Sequence, residues 1–422
     1  MRIERAPFFR GRFTLPGDKS LSHRAAILGA MAEGRTLVRN YSSAADCRST
    51  LSCLRGLGVA VGHRADEVTI EGRGVGSWRA PAAALDAENS GSTIRMLAGA
   101  LAGRPFRAVM TGDDSLRRRP VERVAAPLRA MGATVLTSGG KPPITIEGGR
   151  LRGLTYDLPV ASAQVKTAVL LAGLQAEGRT TVREPSPSRD HTERMLPAFG
   201  VRVERDGLAA TVEGGARLRG TEVAIPGDAS SAAFLVVAAL VLPDSEVRLD
   251  GVLLSPTRTA FLDVLRGMGG RVEARLEATD PEPVGSIVAS SSSLTGTTVD
   301  PALVPSLIDE VPALAAAAAF ARGRFTVSGA SELRVKESDR IAALAEGLAA
   351  LGARVRELPD GLVVDGGAPL RGARVRSHGD HRIAMALSVA ALAAEGATEV
   401  EGAECVAVSF PAFYALLERA RA

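Results

Sequence analysis

The feature that most constrains this chain is an internal period. Six segments share one plan: a polar head rich in capping residues, a helix rich in Ala, Leu and Val, then a Gly- or Pro-containing turn and a strand. They cover residues 19–33, 89–102, 162–177, 230–242, 309–322 and 380–395. Their heads, Ser20, Ser90, Ser162, Ser230, Asp309 and Asp380, recur roughly every 70 residues, longer than most solenoid repeats. Apolar side chains run almost all the way round these helices, which predicts that they are buried.

Between them comes a second, amphipathic helix, a Gly turn and a strand pair. The pattern is seen in residues 47–61, 121–135, 192–203, 257–272 and 339–355. Several repeats close on an alternating strand that ends in Gly, as in residues 67–72, 144–148 and 361–366. Each repeat therefore reads as βαβαββ. The sixth ends in a helix at 411–421 without closing strands, and the N-terminal strand within residues 2–15 is expected to fill that place.

Pro-Gly-Asp occurs twice at matching positions, at Pro16 and at Pro226, with three repeats between the two copies and three after the second. The simplest parse is a discontinuous domain of residues 1–16 plus 226–422 and an inserted domain of residues 17–225. A ligand cleft between them is expected.

The 422 residues exceed one ordinary core, and 46% hydrophobic with 23% charged residues fits a globular protein. No run of about 18 uncharged apolar residues is present, and the opening MRIERAPFFR carries no signal-peptide core. Cys47, Cys53 and Cys405 form no CxxC pair and no even framework. A cytoplasmic location with no membrane partner is expected. Aromatic residues make up only 4% of the chain, too few for base stacking, so no nucleic-acid partner is expected. A net charge of +4 suits small anionic substrates.

The heads of the six helices carry the candidate chemistry. Free N–H groups and the helix dipole favour anions at such places. The heads hold Lys19, Ser20 and Arg24; Asn89, Ser90, Gly91, Ser92 and Arg95; Ser162, Gln164 and Lys166; Asp309 and Glu310; and Asp380, His381 and Arg382. Caps alone would explain the Ser and Asp residues. They would not explain Lys, Arg and Gln recurring beside them. Arg117-Arg-Arg-Pro120 is either a solvated charge run or, through Arg119, a fork donor to phosphate. Lys336-Glu-Ser-Asp-Arg340 is either a surface ion-pair network or a group that binds an anion and moves a proton. His378-Gly-Asp-His381 lacks metal-ligand partners, no P-loop or strand-linked GxGxxG is present, and no metal or cofactor is expected.

Taken together, Pro16–Arg24, Asn89–Ser92 with Arg95, Arg119-Pro120, Ser162–Gln164, Leu333–Arg340 and Asp380–Arg382 resemble the 5-enolpyruvylshikimate-3-phosphate synthase family, in order and along the whole chain. The resemblance implies an α/β fold of two domains, each of three βαβαββ repeats, forming an inverse α/β barrel with buried parallel helices. It implies transfer of an enolpyruvyl group from phosphoenolpyruvate to the 5-hydroxyl of shikimate 3-phosphate by a monomer. By similarity Lys19, Ser20, Arg24, Ser162, Ala163, Gln164, Ser188, Asp309 and Lys336 hold shikimate 3-phosphate, with Arg189 nearby. Lys19, Gly91, Arg119, Gln164, Arg340 and Arg382 hold phosphoenolpyruvate. Asp309, Glu337 and Lys19 are the catalytic candidates.

Two departures stand out. Where family members often carry Lys-Thr-Phe-Pro near the C-terminus, this chain has Val408-Ser-Phe-Pro411, and Lys166 is the candidate replacement. Where they carry Thr after the retained Gly, it has Ser92. The rival readings are the related transferase acting on UDP-N-acetylglucosamine, which uses a loop cysteine absent from 111–120, and an inactive binding scaffold.

Overall fold

The computed structural model describes residues 1–421 and divides into two compact units: residues 1–16 with the chain from Pro226 onward, and Gly17–Ile225. Each is built round three helices that are apolar on nearly every face. In the inserted unit these are α1 (Lys19–Met31), α2 (Gly91–Leu101) and α3 (Ala163–Gly173). In the discontinuous unit they are α4 (Ala229–Val241), α5 (Val311–Phe320) and α6 (His381–Ala393). The helices of each unit pack on one another and on the sheets of their own repeats, so all but their polar first turns lie in the core.

Close approach of α2 and α3 requires Gly99. A Cβ there would lie 2.1 Å from the carbonyl oxygen of Ala168, so no other residue allows this spacing. One turn nearer the heads, this approach lets Arg95 meet Gln164.

The sheets repeat one pattern. In the inserted unit each has four strands, the first pair parallel and the rest antiparallel, as in 85–86, 107–111, 141–147 and 134–138. The strands that precede the two Pro-Gly-Asp turns stay with the unit being left. Arg10–Thr14 pairs in parallel with Glu246–Leu253, and Glu222–Ala224 pairs in parallel with Glu33–Arg39.

The N-terminal stretch needs a correction. It is not one strand filling the last repeat. Only Arg2–Glu4 does so, antiparallel to Ala397–Glu401, while Arg10–Thr14 joins a different sheet. Pro7 supplies no N–H to a ladder, and the chain leaves the first sheet there, with Ala6 donating to Leu392 and Phe9 buried. Among the described residues no single helix is long and apolar enough to cross a membrane.

Candidate active site

Two of the six helix heads, those of α1 and α4, are capped two residues before the serines at Ser20 and Ser230. Asp18, not Ser20, caps α1 through Leu21 N–H at 2.9 Å, and Asp228, not Ser230, caps α4 through Ser231 N–H at 3.0 Å. The carboxylates satisfy the orphan N–H groups and release the following hydroxyls for other contacts. Ser90, Ser162 and Asp380 do cap their helices. Asp309 does not; it precedes Glu310, which holds the N-cap position of α5 without a side-chain capping bond and instead accepts from Ser230.

In the inserted unit, Lys19 Nζ lies 2.8 Å from Asp46 Oδ2. Arg24 is buried and ties helix heads together. It donates to Ser20 O (2.9 Å), Ala163 O (3.4 Å), Thr167 Oγ1 (2.9 Å) and Thr192 Oγ1 (2.8 Å). Ser20 Oγ accepts from Arg189 at 3.3 Å. At the α2 head, Arg95 donates to Gln164 Oε1 (2.8 Å) and Pro120 O (3.0 Å), and Gln164 in turn donates to Ser92 (3.0 Å). Arg117 and Arg118 are exposed, but Arg119 is buried and donates to Asn89 Oδ1 (2.8 Å) and Ser115 (3.0 Å). A Cβ on Gly91 would sit 2.7 Å from Arg95 Nη1 and 3.5 Å from Arg119 Nη1, so this glycine faces both guanidinium groups. Arginine forks held by carbonyls and amides present fixed donors, an arrangement that receives phosphate or carboxylate.

In the discontinuous unit, Asp309 Oδ1 lies 3.3 Å from both Lys336 Nζ and Arg340 Nη1, and Arg382 donates to Asp309 O at 2.6 Å. Arg340 is 1% exposed and meets three carboxylates: Asp380 at 2.8 Å, Glu337 at 2.6 Å and Asp309. Burial works against its charge, but Asp380, Glu337 and Asp309 outweigh that effect and hold the guanidinium more firmly protonated than usual. Cations and carboxylates alternate here, so the cluster can both hold an anion and exchange a proton.

Lys166 does not supply the cation missing at Val408. Its ammonium is enclosed between Glu184 Oε2 at 2.5 Å and Glu193 Oε1 at 2.7 Å, with all three side chains almost fully buried. Ser188 donates to the same Glu184. Sequence reasoning missed Asp46, Thr167, Thr192, Glu184 and Glu193. Asp46 lies in the first turn of an amphipathic helix (Ala45–Gly56), where an acidic residue is ordinary and gives no signal.

Comparison with known proteins agrees with this geometry. The family model of EPSP synthase (3-phosphoshikimate 1-carboxyvinyltransferase) matches residues 6–417. The 3-phosphoshikimate 1-carboxyvinyltransferase of Brevibacillus brevis is 47% identical over 99% of both chains. That of Desulforudis audaxviator is 50% identical over 98% of this chain and 97% of its own. The solved structure of EPSP synthase from Acinetobacter baumannii superposes with a TM-score of 0.88 at 45% identity, covering 99% of this chain and 98% of that one. With caps, arginine forks and carboxylates in place along six repeats, the chain belongs to the EPSP synthase family.

Proposed function

We infer that the chain transfers the enolpyruvyl group of phosphoenolpyruvate to the 5-hydroxyl of shikimate 3-phosphate and releases phosphate. The observation that carries this reading is Asp309, a carboxylate set among Lys336, Arg340 and Arg382. Its carboxylate, in the ionised form, can accept the proton of the attacking hydroxyl. Lys19, Ser20, Arg24, Ser162, Ala163, Gln164, Ser188 and Lys336 serve the acceptor. Lys19, Gly91, Arg119, Gln164, Arg340 and Arg382 serve phosphoenolpyruvate.

The substrates bring two phosphates and two carboxylates together, and the cations offset their repulsion and fix their orientation. Protonation of the methylene carbon, by Lys19 or Glu337, makes C2 electrophilic. The 5-oxygen bonds to C2, giving a tetrahedral adduct. Loss of a methyl proton then restores the double bond as the C2–O bond to phosphate breaks. Phosphate release with phosphoenolpyruvate and shikimate 3-phosphate tests the reading; no release under conditions where the acceptor binds would overturn it.

Glyphosate is expected to inhibit the wild-type protein, because Gly91 leaves open the space beside Arg95 and Arg119. In Gly91→Ala the new methyl must displace the Arg95 guanidinium and disturb its bond to Gln164. Only a flexible side-chain end has to move, so the fold survives. The KM for phosphoenolpyruvate is expected to rise about tenfold, a cost near 1.4 kcal/mol, with a larger rise in the glyphosate inhibition constant. Steady-state inhibition kinetics check both values.

The cysteines are expected to be dispensable. Burial raises the Cys47 thiol well above its usual range and pushes Cys53 up to about 12 and Cys405 up to about 11. All three therefore stay as unreactive thiols at neutral pH. Iodoacetamide treatment should leave turnover unchanged. Inactivation that tracks modification of one thiol would instead favour the rival transferase that uses a cysteine.

A further inference from the structure

The buried Lys166 cluster has no part in the steps above. One ammonium between two carboxylates takes three ionisable side chains out of water, and such groups are poor stabilisers when compared with apolar packing. Their effect is on geometry. Glu184 and Glu193 mark the two ends of the segment Glu184-Pro-Ser-Pro-Ser-Arg-Asp-His-Thr-Glu193, which has no regular structure before His191. Pro185 and Pro187 remove backbone donors, so the segment depends on side chains to hold its path.

Lys166, the fourth residue of α3, clamps both ends. Between the clamped ends, Ser188 donates to Glu184 and Arg189 donates to Ser20. Thr192 accepts from Arg24 and shares a 2.6 Å hydrogen bond with Thr167, also on α3. One ammonium thus sets the path of a segment that touches two residues of the α1 head.

We propose that Lys166 is a positioning residue for recognition of the acceptor's phosphate: it holds Glu184 and Glu193 so that Arg189 stands beside Ser20 and Thr192 beside Arg24. The proposal rests on the functional reading above. It assigns Lys166 no contact with substrate. The selectivity it predicts is for the acceptor over phosphoenolpyruvate, because on α1 and α3 the segment meets Ser20, Arg24 and Thr167, none of which serves phosphoenolpyruvate.

The test compares Lys166→Met, Lys166→Arg, Glu193→Gln and the double variant Lys166→Met/Glu193→Gln. Methionine keeps the bulk of the stem but leaves two carboxylates facing each other. The added Gln removes that repulsion and supplies an amide donor for Glu184. Lys166→Met is expected to weaken shikimate 3-phosphate binding by about tenfold or more, with the KM for phosphoenolpyruvate at saturating acceptor within about twofold of wild type. Backbone amides of Ser186 and of Ser188 to His191 should exchange faster in the ligand-free variant. Lys166→Arg and the double variant should recover most of the binding.

Unchanged acceptor affinity and unchanged exchange in Lys166→Met would overturn the proposal. So would equal losses for both substrates with no recovery in the double variant, since a general packing defect predicts additive losses. If Lys166→Met does not fold, the double variant measured against Glu193→Gln carries the same comparison. A wild-type protein that fails to bind shikimate 3-phosphate would sink the functional reading instead. Hydrogen exchange without ligand still decides whether Lys166 orders the segment.

Discussion

Asp309→Asn is expected to lower kcat by about 10²- to 10⁴-fold while leaving affinity for shikimate 3-phosphate unchanged or slightly improved. Asparagine keeps the shape and volume of the side chain but cannot take the hydroxyl proton at neutral pH. The substitution also removes one negative charge from beside Lys336, Arg340 and Arg382. A site that must receive phosphate and carboxylate then becomes more positive, so ground-state binding has no electrostatic reason to weaken. A group that only bound substrate would give the opposite pattern, a higher KM with little change in kcat. Asp309→Ala should likewise keep binding and lose most turnover. Steady-state phosphate release and calorimetric titration with shikimate 3-phosphate separate the two cases. An unimpaired rate would remove Asp309 from the mechanism.

Charge is distributed differently in the two units, and the difference bears on their roles. At the heads of α1 to α3, Lys19 has Asp46 and Lys166 has Glu184 and Glu193, whereas Arg24, Arg95 and Arg119 bond to hydroxyls, carbonyls and amides. Neutral partners hold a guanidinium in place without cancelling its charge, which keeps it effective toward an anion. At the heads of α5 and α6 each cation meets carboxylates, and Arg340 meets three. Groups of that kind can change protonation or partner during a reaction.

Much of the scaffold could be read from the sequence because the six apolar helices and their Gly-ended strands recur at a long, regular period. The pairing of the shortest strands could not. Arg2–Glu4 and Glu222–Ala224 are three residues long, too short for a period-2 pattern, and tertiary position alone selects their partners. The helix heads were legible as clusters of charge, but not the direction in which each charge is used. Lys166 sits at a head like the others and has the form of a ligand cation. Its partners lie 18 and 27 residues further on, one of them just before a proline-rich stretch, and nothing in the linear sequence pairs them. Ser230 misled for a local reason, since an Asp two residues earlier takes the capping role.

Arg340 tests how far stability and function share one side chain. Arg340→Met is expected to destabilise the discontinuous unit by about 3–5 kcal/mol, because it strands a buried carboxylate rather than merely deleting a bond. Asp380 is fully buried and receives Arg340 Nε at 2.8 Å, with Glu337 and Asp309 on the other two nitrogens. A loss of that size is a large share of the roughly 5–15 kcal/mol that stabilises a typical domain. Arg340→Lys should also fail to restore activity, since one ammonium cannot reproduce a fork that spans three carboxylates.

A double variant separates the two roles of this arginine. In Arg340→Met/Asp380→Asn the buried charge is gone, while asparagine still caps α6 by accepting from Arg382 N–H. Most of the lost stability should return in chemical denaturation. The KM for phosphoenolpyruvate should stay raised and kcat should stay low, because no fork remains to receive its anion and Glu337 has lost the guanidinium that orients it. Recovery of turnover together with stability would show that Arg340 serves only the fold.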